Sequence, residues 1–429
     1  MNVPSFPRHL HFSTTPTSCS PPPYVSSSVS ADLARMMIPS DANIAGNVHG
    51  GTIMKLMEEA AGVAANRYFN NHLSPRTTDR VCALTSRVER MTFQHPVHVG
   101  DVAKVHAAVV FASNHTVAVS VQVTAERMAW STATTSSSSQ NMGGDPRQAD
   151  TICNRALLWL VGVVLPLDDT TTVHQLNPKL YPRALAPSFQ VPEQNTEGYK
   201  AYQWAAQAYK RRKKTMVMIA EGEIEKSGTK GNANQVVAAE SIINDDNDAL
   251  DSFTPDDSAV ELVQLMLPED CTTNTGLVGG GVVMKLMDNA CGVAAARHCG
   301  TNIVTVAVDC VNLEAPVLLG DVIKVKARPT FASDKSLELE VSVAAERFEY
   351  DDEQGRLVRR EIVTTRQAYF TFVSLPRHGG QASLPMRPLK VETSEDMTKF
   401  AAGKRRYEQR KARRQERKGK SSWSELDKL

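Results

Sequence analysis

Hydrophobic residues in this chain follow two periods that predict different secondary structures. Between residues 50 and 67 the apolar side chains recur every three or four positions, and this spacing predicts an α-helix with one buried face. That face contains Ile53, Leu56, Met57, Ala60, Ala61 and Ala64. From Thr116 to Ala125 valines alternate with small or polar residues, which predicts a strand with one buried face. The two patterns together indicate an α+β unit.

This unit occurs twice. Residues 50–67 read GGTIMKLMEEAAGVAANR and residues 280–297 read GGVVMKLMDNACGVAAAR, at an offset of 230 positions. Downstream matches, among them Gly100-Asp101-Val102 with Gly320-Asp321-Val322, lie at an offset of 220. The first copy therefore contains ten extra residues, which we place in the polar stretch Asn70–Arg80. Ordered matches of this kind indicate a tandem duplication.

Both copies have predicted strands at corresponding places after the helix. These strands are Val102–Phe111, Thr116–Ala125 and Ala156–Val164 in the first copy, and Val322–Arg328, Leu337–Ala345 and Gln367–Leu375 in the second. A single antiparallel sheet wrapped around one helix leaves its edge strands exposed. We therefore expect the two copies to pair edge to edge in one continuous sheet, with each half wrapped around its own long central helix.

Shifts in composition divide the chain. The predicted parts are a leader at 1–31, a first domain at 32–221, a linker at 222–256, a second domain at 257–390 and a basic C-terminal helix and tail at 391–429. The leader has no Asp or Glu and many Ser, Thr and Pro, which is typical of disorder; a transit peptide is the alternative. The first domain contains a Ser/Thr-rich stretch at 130–150 that predicts a mobile insertion.

Overall charge and apolar content narrow the classes of function. The chain has 48 Lys and Arg against 47 Asp and Glu, so nothing favours nucleic acid as a partner. We interpret the charged segments that end each repeat, Gln194–Lys214 and Glu395–Lys420, as solvated helices. The longest apolar run, Ala156–Leu165, is shorter than the roughly 20 residues that span a bilayer. The seven cysteines form no CxxC pair, so we expect reduced thiols and no metal site.

The segments around the two helices resemble a known family. Asp41–Ala60 (DANIAGNVHGGTIMKLMEEA) and Asn274–Thr305 are similar to two-domain acyl-CoA thioesterases with paired hotdog folds. The resemblance implies hydrolysis of fatty acyl-CoA thioesters without a cofactor. It also implies a cytoplasmic enzyme, or a mitochondrial one if the leader is a transit peptide, that assembles as a trimer of double hotdogs. The alternative is a non-catalytic acyl-CoA binding or regulatory protein, which we expect to have lost the acid or the loop described next.

In this family the active site lies between two hotdogs. A loop with Asn, His and Gly precedes the helix of one, and an acidic residue lies on the helix of the other. The matching positions of the first site are Asn43, His49 and Gly50 in repeat one and Asp288 in repeat two. Those of the second are Thr273, Gly279 and Gly280 in repeat two and Glu58 in repeat one. The second set lacks the Asn and the His, so we expect a degenerate site there and hydrolysis only at the first.

Each residue type in the first site suits one step of thioester hydrolysis. Asp288 can take a proton from water as a general base, or attack directly and form an anhydride, and the sequence leaves both open. The Gly50 N–H lies where a helix begins and is the candidate oxyanion donor, a role worth about 3 kcal/mol. Asn43 can orient the water or the carbonyl through its amide, and His49 can hold the loop or the thioester.

The sequence leaves alternatives for two features of the candidate site. Related enzymes carry a hydroxyl residue near the acid, on the strand after the helix, and here either Thr305 or Val306 faces that position. The other feature is the binding of the polyanionic CoA, which requires basic side chains or backbone N–H groups. The candidates for it are Gly51, Arg297, Ser333, Lys335 and Ser113, with Arg67 as a further basic residue.

Overall fold

The fold is seen in a computed structural model of the chain. It describes residues 29–43, 47–71, 79–128, 151–166, 183–220, 253–272, 276–351, 355–376 and 383–418. The predictions of a disordered leader before residue 29, a mobile insertion at 130–150 and a linker up to residue 252 lie outside these residues, as does Thr273.

Two long helices lie at the predicted places. Helix α1 spans Gly50–Asn70 and helix α3 spans Gly280–Cys299. The whole predicted apolar face of α1 is buried, as are the corresponding residues of α3. The connection that follows α1 is longer than the one that follows α3, since the next strands begin at Asp79 and Asn302. The extra residues of repeat one therefore lie where the change of offset predicted them.

Twelve strands surround these helices in the described part of the chain. In repeat one they are β1 (Ser30–Met36), β2 (Asp79–Val88), β3 (Met91–Phe93), β4 (Val102–Ala112), β5 (Thr116–Glu126) and β6 (Thr151–Pro166). In repeat two they are β7 (Val260–Leu265), β8 (Asn302–Val308), β9 (Val311–Asn312), β10 (Val322–Ala332), β11 (Leu337–Asp351) and β12 (Arg356–Leu375). All six predicted strands are present, and each extends beyond its predicted limits.

The strands form one continuous antiparallel sheet. Its order is β1-β4-β5-β6-β3-β8-β12-β11-β10-β7, with β2 beside β6 and β9. The two repeats join where Met91 of β3 pairs with Val308 of β8, and where Val88 of β2 pairs with Val311 of β9. The predicted tandem α+β architecture, with two hotdog sheets paired edge to edge, is confirmed.

Two domain boundaries differ from the prediction. Strand β1 begins at Ser30 and Ala31 is only 3% exposed, so the first domain starts within the predicted leader. The last residues of the predicted linker pack against the second domain: the Phe253 ring lies edge to face with the His298 ring, and Asp256 forms an ion pair with Arg328. Both errors arise because polar composition alone does not show where a chain begins to make contacts.

The two long helices cross on the inner face of the sheet, and glycine makes that crossing close. A Cβ atom at Gly51 would lie 2.9 Å from the Cα of Lys285, and one at Gly281 would lie 2.8 Å from the Cα of Lys55. These reciprocal contacts follow the internal repeat. They bring the first turn of each helix against the middle of the other, where Glu58 and Asp288 lie.

The charged helices that end each repeat are α2 (Glu197–Ala220) and α4 (Ser394–Lys418). The interpretation of α4 as a solvated helix was wrong, because it docks on the outer face of the sheet. Arg406 and Arg410 of α4 both form ion pairs with Glu338, which is 1% exposed. A buried carboxylate requires such partners. No helix in the described residues is long and apolar enough to cross a membrane.

Candidate active site

Asp288 is the centre of the predicted first site, and residues from both repeats hold its carboxylate. The side chain is 2% exposed. Its Oδ2 accepts the backbone N–H of Gly51, from repeat one, at 2.8 Å. Its Oδ1 accepts the hydroxyl of Thr305, from repeat two, at 2.7 Å. The acid of the second helix therefore lies against the first turn of the first helix, as the composite-site hypothesis requires.

Thr305, and not Val306, faces the acid. The Thr305 side chain also lies beside Gly50, because a Cβ atom at Gly50 would meet Thr305 Oγ1 at 3.1 Å. Phe93, from strand β3 of repeat one, closes the other side of Gly50 at 3.2 Å from the same position. The first site therefore keeps a hydroxyl, and an aromatic ring that the sequence analysis missed lies next to it.

The loop before α1 contains Asn43 and His49, and it brings Asn43 to strand β8. The Asn43 Nδ2 donates to the carbonyl of Ile303 at 3.3 Å, and its Oδ1 accepts the N–H of Asn47 at 3.1 Å. His49 is the residue that precedes α1, and its carbonyl accepts the N–H of Thr52 at 3.1 Å. Because Ile303 and Thr305 are two residues apart on β8, Asn43 and Asp288 contact the same strand rather than separate crevices.

The environment of Asp288 acts on its pKa in opposite directions. Burial raises the pKa of Asp288 above the ordinary 3.8, because a low dielectric disfavours the charged carboxylate. The hydrogen bonds from Thr305 and Gly51 lower that pKa, and so does His49 nearby. Burial is the largest of these effects, so the pKa of Asp288 stays above its ordinary value in spite of the two donors.

In the predicted second site the two repeats exchange roles, so that repeat one supplies the acid and repeat two supplies the glycine loop. Glu58, on α1, is 5% exposed and its Oε1 accepts the hydroxyl of Thr85 at 2.8 Å. Burial raises the pKa of Glu58 above 4.5, while Thr85 and the N–H groups of Gly281 and Gly280 lower it. The offset of 220 in the sequence relates Thr85 to Thr305. Each carboxylate therefore accepts one hydroxyl from its own repeat and at least one glycine N–H from the other repeat.

The two sites differ in the space around the loop. A Cβ atom at Gly279, the counterpart of His49, would lie 2.6 Å from Thr272 Cγ2 and 3.4 Å from Glu58 Oε2. A Cβ atom at Gly280 would lie 3.5 Å from Glu58 Oε1. Glu58 is one methylene longer than aspartate and reaches into the cradle of Gly279 and Gly280. In the second site the Glu58 carboxylate therefore lies beside both loop glycines.

Three of the predicted substrate-binding residues form hydrogen bonds within the protein. The Gly51 N–H is already bonded to Asp288, so this donor is not available to a substrate. Arg297 donates to the carbonyl of Ala259 at 2.9 Å, and its counterpart Arg67 donates to the carbonyl of Ser30 at 2.7 Å. Both arginines lie near the ends of α1 and α3, and Arg297 is about 13 Å along the helix from Asp288. They attach the end of each helix to the start of its repeat, at Ser30 of β1 and at Ala259 just before β7.

The predicted turn residues separate into two groups. Leu337 pairs with Phe372, which pairs with Thr305, so the turn with Ser333 and Lys335 is at the level of the first site, two strands away. That separation is about 10 Å. By the same pairing in repeat one, the turn with Ser113 is at the level of Thr85 and the second site. The Ser333 hydroxyl bonds within its turn, and Lys335 is exposed.

Removing the Thr305 hydroxyl is expected to change both the rate and its pH dependence. In Thr305→Val the carboxylate of Asp288 loses a donor that lowers its pKa, so the pKa of Asp288 rises. We expect kcat to fall about tenfold, the worth of one hydrogen bond to a charged group, and the acid limb of the kcat profile to move to higher pH. Thiol release measured between pH 5 and 9 tests both effects. Thr305→Ser should retain the wild-type profile, and an unmoved acid limb in Thr305→Val would contradict the assignment.

The chain is similar to known proteins over most of its length. The Thioesterase superfamily profile matches residues 45–129 and 275–347. The cytosolic acyl coenzyme A thioester hydrolase of Homo sapiens is 36% identical over 381 residues, which is 89% of this chain and 83% of that protein. The Rattus norvegicus protein of the same name is 36% identical and matches 84% of its length. An acyl-CoA hydrolase structure from Bacillus cereus, 23% identical, aligns with 39% of this chain and 95% of its own at a TM-score of 0.33.

The two profile matches correspond to the two repeats, and each begins in the loop before a long helix. The similarity to the mammalian proteins covers both repeats in one alignment, at an identity above one third. This chain therefore belongs to the family of cytosolic acyl coenzyme A thioester hydrolases, within the thioesterase superfamily.

Proposed function

We propose that this protein hydrolyses fatty acyl-CoA thioesters to free fatty acid and CoA at the site between the two hotdog domains. One observation carries the proposal: a buried acid of repeat two is hydrogen-bonded to the first turn of the helix of repeat one, beside the loop that holds Asn43. A duplicated hotdog has this acid and this loop only where its halves meet. The family of the chain supports the same reaction.

In the proposed mechanism Asp288 takes a proton from a water molecule as the water oxygen attacks the thioester carbonyl. The Gly50 N–H, at the start of α1, donates to the oxyanion that forms, and the positive end of the helix favours that charge. Collapse of the tetrahedral intermediate breaks the C–S bond, and the CoA thiolate takes the proton from Asp288. Both Asp288 oxygens already accept hydrogen bonds, which fix the orientation of the carboxylate towards the start of α1.

We propose hydrolysis at the first site only. Its counterpart has Gly279 where His49 lies, and Thr273 in place of Asn43. The position of Glu58 supports this asymmetry, because its carboxylate accepts the Gly280 N–H, the donor that corresponds to the proposed oxyanion donor Gly50. Glu58 and Thr85 in this view stabilise the crossing of the two helices.

Asn43→Ala is expected to lower kcat for palmitoyl-CoA about a hundredfold with little change in melting temperature. The variant loses the hydrogen bond that holds the loop against Ile303 of β8, and it loses an amide that can orient the attacking water. A displacement of reacting groups by about 1 Å lowers a rate about a hundredfold. Thiol release measures the rate. Asn312→Ala is the matched control, since it also removes a hydrogen bond between the repeats, from Arg87 to Asn312 Oδ1 at 2.7 Å. Equal losses in the two variants would show that Asn43 has no special part in the reaction.

We further propose that the enzyme needs no cofactor, resides in the cytoplasm and assembles as a trimer of double hotdogs. In the mechanism above every proton and bond is accounted for by water, thioester and protein groups. The relatives named as cytosolic support the location. The family resemblance of the two helix segments supports the number of copies.

A further inference from the structure

The positive charge of this chain is concentrated in two short segments. Residues 210–214 and 404–420 together carry fifteen Lys and Arg and two Glu, which gives them a net charge of +13. The whole chain has a net charge of +1, so all other residues together carry −12. A total charge near zero therefore conceals a strongly uneven distribution of charge.

The two segments belong to equivalent helices. Each helix packs on a phenylalanine through two aromatic residues: α4 through Phe400 and Tyr407 on Phe331, and α2 through Tyr202 and Tyr209 on Phe111. The residues beneath α2 form a cluster separate from the core around α1 and α3, so α2, like α4, lies on the outer face of the sheet. The same alignment makes Arg212 of α2 the counterpart of Arg410 of α4.

The C-terminal parts of α2 and α4 approach each other where the two repeats join. Arg410 donates to Asp309 Oδ2 at 3.2 Å. Arg212 lies close enough to Cys310, the next residue of the chain, for each to act on the pKa of the other. Beyond these two arginines each helix continues for eight residues, to Ala220 and to Lys418, which is about 12 Å. The basic ends of the two helices therefore lie side by side.

We call the exposed basic residues of these two ends the basic junction. They are Lys210, Arg211, Lys213 and Lys214 of α2 and Lys404, Arg405 and Lys411 of α4.

The sheet-facing arginines of α4 are neutralised, whereas the lysines of the basic junction are not. Arg406 and Arg410 form ion pairs with Glu338. In the described residues no lysine of the basic junction forms an ion pair with an acidic group. Burial, and after it the positive charge of Arg87, lowers the pKa of Arg212 beneath this surface. Positive charge is thus in excess here, and an anionic partner would relieve the repulsion.

The sequence around the basic junction favours a lipid surface over a nucleic acid. Five apolar residues, MVMIA at 216–220, follow the basic run of α2 directly in the sequence. Basic residues next to short apolar segments are typical of helices that lie in a membrane interface. Single-stranded nucleic acid requires aromatic side chains for stacking. Tyr407 is the one aromatic residue in the two basic segments, and its ring packs on Phe331 instead.

We propose that the basic junction docks this protein on an anionic membrane surface. The inference goes beyond the proposed hydrolysis and does not depend on it. The uneven charge orients the molecule, because the lipid headgroups attract the basic junction and repel the negative remainder of the chain. Helices α1 and α3 lie on the other face of the sheet, so the candidate active site stays accessible in the docked protein.

The test measures flotation of the full chain with lipid vesicles. Vesicles of two parts phosphatidylcholine to one part phosphatidylserine should carry the wild type upward, and vesicles of phosphatidylcholine alone should not. Each basic residue near such a surface changes the binding constant about fivefold, so a triple substitution should weaken binding about a hundredfold. One triple variant is made on each helix: Lys210→Gln, Lys213→Gln and Lys214→Gln on α2, and Lys404→Gln, Arg405→Gln and Lys411→Gln on α4.

Lys104→Gln with Lys326→Gln and Lys390→Gln is the matched control. It also removes three charges, from side chains that are 41%, 66% and 55% exposed elsewhere on the molecule. This control should float as the wild type does, and circular dichroism checks that all three variants are folded. Thiol release without vesicles should equal that of the wild type in both junction variants, so loss of docking and loss of hydrolysis are told apart.

Three results would overturn the proposal. The first is equal flotation of the wild type with both kinds of vesicle, because the charge of the headgroups would then have no part in binding. The second is an α2 variant that floats as well as the wild type, because the two helix ends would then not act as one surface. The third is tighter binding to a DNA duplex than to the anionic vesicles at the same ionic strength, which would assign the basic junction to nucleic acid.

Discussion

Asp288→Asn is expected to lower kcat for long-chain acyl-CoA hydrolysis about a thousandfold, the middle of the range for a positioned general base. The substitution keeps the size of the side chain and its oxygen toward Thr305. It removes the group that accepts the proton from water. The proposed mechanism has no substitute, because His49, although it lies near this carboxylate, forms no hydrogen bond to Asp288 in the described residues. Single-turnover thiol release separates this loss from any change in substrate binding.

Glu58→Gln is the matched control for this variant. Both acids are buried, both have a raised pKa caused by burial, and both accept one threonine hydroxyl. A purely structural requirement for a buried carboxylate would make the two substitutions equally harmful. We expect kcat of Glu58→Gln to stay within about threefold of the wild type, a change of less than 1 kcal/mol in the barrier. Equal losses at the two positions would sink the assignment of a single working site.

The same pair of variants tests how the rate of hydrolysis depends on pH. A general base acts only when it is ionised, and burial raises the pKa of Asp288. The wild-type rate is therefore expected to rise with pH through the raised pKa of Asp288 and then to level off. Glu58→Gln should leave this profile unchanged although it removes an acid whose pKa is also raised, since Glu58 takes no proton in the reaction.

Much of the architecture is readable from the internal repeat. The duplicated helix segment, its buried stripe and the alternation in β5 specify local structure, because period and burial are directly linked. The short strands β3 and β9 carry no such signal, since two or three residues have no period. Their pairing with β8 and β2 joins the repeats and depends on contacts distant in sequence.

The candidate site shows the same division between local and distant information. The alignment of the two repeats assigned Asn43 and Asp288 to one composite site. The offset of 220 identified Thr305 as a candidate hydroxyl residue near the acid. Which of Thr305 and Val306 faces the acid depends on a strand orientation that only the folded sheet fixes. The docking of Arg406 on Glu338 was missed for a similar reason: a basic helix has the same composition whether its partners are water or a buried glutamate 68 residues away.

Gly51→Ala is expected to destabilise the protein by about 2 kcal/mol and to reduce kcat as well. An added methyl group would lie 2.9 Å from the Cα of Lys285 and 2.9 Å from the Cβ of Asp288. The first neighbour is backbone and cannot move aside, so α1 and α3 must separate, and overpacking of this kind costs about 1–3 kcal/mol. The separation also displaces the N–H that donates to Asp288 Oδ2 at 2.8 Å. Urea unfolding followed by circular dichroism, together with thiol release, measures the two effects.

Two other glycines in the same helices serve as controls. A Cβ atom at Gly62 of α1 would have no neighbour within 4 Å, so Gly62→Ala should stabilise the helix by about 0.5–1 kcal/mol. Gly281→Ala meets Lys55 Cα at 2.8 Å and should cost about as much stability as Gly51→Ala. It acts on the Glu58 side of the crossing, and we therefore expect a much smaller loss of kcat. If Gly281→Ala impaired hydrolysis as severely as Gly51→Ala, the helix crossing as a whole, and not the support it gives Asp288, would set the rate.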